Sequence, residues 1–187
     1  MNNFLASSAI INFDHPDVAA LARELSGANR IATARRCYIW VRDEVRHSVD
    51  HNQSIVTCSA SEVLAERSGF CYAKSHLLAA LLRANRIQTG LCYQRLHQGD
   101  GRYCLHGLNA VMLPDFGWYR IDPRGNKPGI DTAFTPPQER LAYPIERPGE
   151  YNLTEIYAEP LPLVLAALQR HATVDELNRH LPDLPPA

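Results

Sequence analysis

Apolar residues recur at helical intervals through the first half of the chain and give way to strand-like runs in the middle. Asp14-His15-Pro16-Asp17 opens a periodic run through Val18, Leu21, Ala22 and Leu25 that stops at Gly27, which predicts a helix over 16–26. A second run, 30–47, carries Ile31, Ala34, Tyr38, Val41 and Val45 as an apolar stripe with a solvated charged face. Residues 47–57 are polar and aperiodic and read as a connecting loop, after which Ser59 or Ser61 caps a short helix through Val63 and Leu64. Gly69 breaks the pattern, and Cys71 opens a strongly helical segment with Leu77, Leu78, Leu81 and Leu82, running to Asn85.

From Ile87 the period changes. Strand-like residues run through Leu96, a turn follows at Gly99-Asp100-Gly101, and two further strands, 104–113 and 118–121, flank Pro114-Asp115-Phe116-Gly117. Local order predicts an antiparallel meander. The prolines then cluster from Pro123 to Pro162, which predicts an extended arm laid over the domain, with little repetitive structure and a possible role as a lid. Residues 163–171 and 173–181 read as short helices, the second with Thr173 as N-cap and Glu176 completing a capping box. The expected organisation is one domain over 1–187, with core motifs in about 35–130 and the arm plus short helices at 123–187.

Composition narrows the classes. The chain has 187 residues, 45% hydrophobic and 21% charged, enough to bury one core without metal or disulfide staples. With 19 Lys+Arg against 20 Asp+Glu the net charge is −1, which argues against a nucleic-acid partner. No apolar run approaches the ~20 residues of a bilayer span, and Met1-Asn2-Asn3-Phe4 lacks a basic leader, so a cytoplasmic chain with no membrane partner is expected. Five cysteines without regular spacing predict no disulfide framework. The close pairs Cys104-x-His106 and His47-x-x-x-His51 match no standard zinc pattern, and no cofactor is implied.

Chemistry gathers around Ser68-Gly69-Phe70-Cys71-Tyr72-Ala73-Lys74. A cysteine in the first turn of a helix meets unpaired N–H groups and a positive dipole end, which favour thiolate and can also hold an oxyanion. His106, in an otherwise mostly apolar strand, is the candidate base, and Asp122, at the end of the next strand before Pro123, can fix its tautomer if the two strands are antiparallel neighbours. Singly, each residue has a packing explanation: core cysteine, satisfied strand histidine, Asp-Pro turn. Their joint order Cys, His, Asp favours chemistry. Tyr93 and Gln94 are candidate oxyanion donors, one of which alternation turns to the core. Lys74 reads as solvent-exposed, and Arg124-Gly125-Asn126-Lys127 as a polar turn near the cleft.

The stretches Ala60-Ser61-Glu62-Val63-Leu64, Gly69-Phe70-Cys71, Leu77 to Arg83, His106 and Gly117 to Pro123 together resemble the transglutaminase-like superfamily of papain-like Cys-His-Asp enzymes, especially its small bacterial members regarded as cysteine proteases. The resemblance covers roughly residues 35–130. It implies an α+β fold, with the cysteine helix packed on an antiparallel sheet, Cys71 as nucleophile, His106 as base and acid, and Asp122 orienting the histidine. The run His106-Gly107-Leu108-Asn109 departs from many members, which place a small residue and then Trp after the histidine. The expected activity is acyl transfer or hydrolysis on an amide or peptide carbonyl of a peptide or protein substrate, through a thioester. The alternatives are an amine-accepting transglutaminase and a non-catalytic binding module.

Overall fold

The structure is a computed structural model and describes residues 3–185; Met1, Asn2, Pro186 and Ala187 lie outside them. Pro16 occupies the first turn of α1 (Pro16–Glu24), whose fixed φ suits that position. Helix α2 (Arg30–Glu44) is capped by Asn29, whose side-chain oxygen accepts from the Ala32 N–H at 2.8 Å. It ends short of 47 because Val45 turns extended and Arg46–His47 becomes strand β1, parallel to β2 (Ser68–Gly69). The expected loop therefore begins one strand later, a long-range pairing that no local period announces. Between them, Ser59 and Glu62 close a reciprocal capping box at the start of α3 (Ala60–Glu66).

Helix α4 (Cys71–Ala84) is buried from Cys71 to Arg83. It is covered on all sides, by α1, α2 and α3 and by strands β3 (Thr89–His97) and β4 (Tyr103–Leu113). Burial all round corrects the reading of Lys74 as exposed: its accessibility is 0%, and Nζ donates to the Arg42 and Val45 carbonyls at the C-terminal end of α2. Those carbonyls have no intrahelical donor, and an ammonium complements the negative dipole end. Burial, reinforced by the Arg124 charge, pushes the Lys74 amine down to about 7.

The meander is present: β3, β4 and β5 (Gly117–Ile121) pair antiparallel in sequence order. The proline-rich arm is more structured than its composition suggests. It holds an antiparallel ribbon, β6 (Ala133–Thr135) with β7 (Gln138–Arg140), and strand β8 (Tyr151–Asn152), which pairs with the free edge of β3. Helices α5 (Pro162–Arg170) and α6 (Val174–Arg179) follow. Thr173 caps α6 as expected, but the Glu176 carboxylate accepts from the Ala172 N–H rather than from the cap residue. One buried apolar cluster extends from Ile11 to Leu177. The fold is α+β, with the Cys71 helix laid against an antiparallel sheet.

Candidate active site

Cys71 is the first residue of α4, and its N-cap, Phe70, offers the first-turn N–H groups no side-chain acceptor. Those donors therefore remain directed past the cysteine, the arrangement that favours negative charge. Gly69 lets the chain enter closely: a Cβ there would stand 3.1 Å from both Ala73 Cβ and Thr57 Oγ1. Behind the thiol, the Gly107 N–H donates to Cys71 Sγ at 3.4 Å. Cys71 as a residue is buried, at 7% accessibility, and lines a cleft of about 540 Å³.

The sheet register brings the other two side chains to it. Asn109 opposes Ile121, so Asp122, one residue on, stands diagonally across from His106. His106 Nε2 and Asp122 Oδ2 are 2.7 Å apart, and the carboxylate also accepts from the Ala142 N–H at 3.0 Å and the Arg124 N–H at 3.1 Å. With Nε2 committed to Asp122, Nδ1 is the nitrogen left for Cys71. Burial disfavours the imidazolium, but the Asp122 charge and the neighbouring Cys71 outweigh it and push His106 up to about 10. For Asp122 burial acts upward, and the His106 charge and the hydrogen bonds more than offset it, leaving the carboxyl below its usual range.

Gln94 is a correction. It is the cross-strand partner of His106, as alternation requires, but its amide nitrogen donates to the Tyr143 carbonyl at 3.2 Å and to Asn152 Oδ1 at 3.0 Å. Both N–H bonds are spent on the arm, and Gln94 does not line the cleft, so it is not placed to hold an oxyanion. Tyr93 is turned away as well, its hydroxyl accepting from the Leu161 N–H at 3.3 Å. The first-turn N–H groups of α4 are left as the donors beside Cys71.

Several groups carry no signal in the sequence. Ala142 holds Asp122 through its backbone, and the Tyr143 ring stands edge-on to the His106 ring at 4.9 Å between centroids. Both lie in the aperiodic arm, which forms part of the cleft wall with Glu146, Arg147 and Glu150. His47 and Asp50 line the cleft from β1 and the following turn. Burial and the Arg124 charge push His47 down to about 3, so it is neutral, and its buried Nδ1 has no hydrogen-bond partner among the described residues. Among the described residues no cluster of three His, Cys, Asp or Glu is arranged to hold a metal ion, and no helix is long and apolar enough to cross a membrane.

Gly107 admits a direct test. A Cβ there would lie 2.9 Å from Tyr72 Cδ1 and 3.1 Å from Tyr72 Cα, where helix and strand touch. Gly107→Ala should cost about 2–3 kcal/mol by overpacking. The measurement is a fall in Tm of roughly 5–10 °C. An unchanged Tm would mean that α4 and β4 are not in this contact.

A buried cysteine thus opens a helix laid on an antiparallel sheet, and that sheet carries a hydrogen-bonded histidine–aspartate pair, in an α+β fold. The profile of the "Transglutaminase-like superfamily" matches residues 19–123, more than half of the chain, and the chain belongs to that superfamily. The fold is similar to that of a candidate cysteine protease from Cytophaga hutchinsonii, with 21% identity and a TM-score of 0.53 over 65% of this chain and 40% of that one. The periplasmic domain of TgpA from Pseudomonas aeruginosa is also similar, at 24% identity and a TM-score of 0.48 over 65% of this chain and 45% of that one. The chain thus spans less than half the length of either. No curated protein matches it.

Proposed function

We propose that this protein is a cysteine-dependent amide or peptide hydrolase in which Cys71 is the nucleophile, His106 the base and acid, and Asp122 the residue that orients the imidazole. The observation that carries the reading is the 2.7 Å His106–Asp122 contact, which leaves the other imidazole nitrogen for a thiol in the first turn of α4. The Cys71 thiolate, whose proton His106 already holds, attacks the carbonyl carbon and forms a C–S bond as the carbonyl π pair moves onto oxygen. Negative charge develops on the carbonyl oxygen within reach of the α4 first-turn N–H groups. His106 protonates the leaving nitrogen, the C–N bond breaks, and a thioester remains. Neutral His106 then takes a proton from water as its oxygen bonds to carbon, and the C–S bond breaks to return the starting pair. Hydrolysis is favoured over transfer to an amine because the cleft opens past exposed polar side chains such as Glu146 and Arg147, which leaves the thioester accessible to water.

The test is alkylation by iodoacetamide at pH 7, read for each cysteine by peptide mass spectrometry. Burial pushes Cys58 up to about 11 and Cys37, Cys92 and Cys104 up to about 12, so these four thiols are slow internal controls. Cys71 should react fastest, and His106→Ala should slow it about tenfold or more. Equal rates at Cys71 and Cys104, unmoved by His106→Ala, would overturn the reading. Peptide hydrolysis against incorporation of a fluorescent primary amine then separates water from amine as acceptor.

A further inference from the structure

The turn that follows Asp122 reaches across the cleft to a single carboxylate. Asp50 accepts from Arg124 Nη1 at 2.6 Å and Nη2 at 3.2 Å, and from Lys127 Nζ at 2.6 Å. All three residues line the cleft that holds Cys71 and His106. Two cations share one anion, so a positive charge is left over, and the neighbouring neutral His47 does not change that count. Arg124 is 5% accessible with both terminal nitrogens committed to Asp50, which makes it a fixed charge. It is also close enough to Cys71 for the two charges to interact. The Lys127 side chain is 40% exposed and spends one of its three N–H bonds on Asp50, so donors remain for a ligand.

At the far end of the cleft Glu146, Glu150 and Arg147 leave one negative charge, the Glu150 carboxylate being held ionised by the N–H groups of His97, Glu146 and Arg147, so the surplus positive charge is local to the Asp50 end. A carboxylate entering at the Asp50 end meets the cluster's surplus positive charge and the unused Lys127 donors. An ammonium would have to displace two cations from Asp50.

We infer that Asp50, Arg124 and Lys127 form a carboxylate-binding subsite, and that the substrate is an amide or peptide carrying a carboxylate beside the scissile carbonyl. The inference rests on Cys71 being the nucleophile. It also accounts for a preference for water over a lysine side chain as acceptor.

The test needs no natural substrate. Iodoacetate and iodoacetamide differ by a carboxylate next to the reacting carbon. The ratio of their rates at Cys71, divided by the same ratio for 2-mercaptoethanol, reads the local field. It should exceed unity by about fivefold at low ionic strength and approach unity in 0.5 M salt. Lys127→Gln should lower it about threefold and Lys127→Glu further, whereas Arg170→Gln, an equal charge change at the exposed end of α5, should leave it in place. A brisk reaction at Cys71 with a ratio indifferent to Lys127→Glu and to salt would overturn the subsite while sparing the nucleophile. A Cys71 that resists both reagents would overturn the proposed function and the subsite with it.

Discussion

Asp122→Asn is expected to lower turnover about 10³–10⁴-fold, the scale on which related triads depend on their orienting carboxylate. Asp122 accepts at both oxygens, from His106 and Ala142 at Oδ2 and from Arg124 at Oδ1. An asparagine amide cannot satisfy this set: whichever way it is turned, its NH2 faces a donor. The substitution also removes one partner of a buried charged pair, a loss that costs about 3–5 kcal/mol, so Tm should fall by roughly 10 °C. Kinetics are therefore taken well below the mutant's Tm. Because Asp122 has 0% accessibility and does not line the cleft, KM should move little while kcat collapses. A folded Asp122→Asn protein with kcat within tenfold of wild type would remove Asp122 from the proposed mechanism.

What the sequence conveyed and what it withheld follow from range. Helices α1 to α4 and the three-stranded meander are written in local period and turn chemistry, and the diagonal of His106 and Asp122 follows once β4 and β5 are antiparallel. Cys71 was legible because Gly69 and a long apolar helix bracket it. Lys74 was misread because its type argues for water, whereas its position on a helix enclosed on every side puts it against the carbonyls that end α2. Alternation separates Gln94 from Tyr93 without saying which of them meets the site, and the atoms the Gln94 amide bonds are supplied by the arm, at Tyr143 and Asn152. The same holds for β1 and β8, each two residues long and made by pairing with distant chain. The cleft wall is thus built from the segments with least periodicity, and these surround the residues that the sequence identifies most readily.

Arm and site are joined energetically as well as sterically. Ala142 donates to the carboxylate that holds His106, and Tyr143 packs on the imidazole, so a displacement of the arm exposes a buried charged pair. That coupling makes the arm a poor candidate for a freely opening lid at residues 142–143, because opening there would strip Asp122 of one of its backbone donors. The outer part of the wall is tied down as well, Tyr103 and Arg95 donating to the Pro148 and Gly149 carbonyls at 2.8 and 2.9 Å.

The protonation of His106 gives a second large effect, in stability. Its folded value of about 10 lies above the 6.5 of a free imidazole, so between these limits the native state binds the extra proton. Stability from this group is fully present below about pH 6.5 and is lost as pH rises through about 10. Lys74, held down near 7, acts with the opposite sign, gaining stability as pH rises toward the ordinary amine range. The difference between wild type and His106→Gln cancels the Lys74 contribution, which both proteins share. Glutamine leaves the Asp122 charge buried without its cation, so the variant should be less stable by about 3–5 kcal/mol below pH 6.5. That gap should narrow steadily with pH and largely close by about pH 10, as wild-type His106 itself becomes neutral. Urea unfolding of both proteins at pH 6, 8 and 10 reads it directly. A gap that stays constant across the series would mean that His106 is neutral in the folded protein throughout, and that the thiol meets an imidazole rather than an imidazolium.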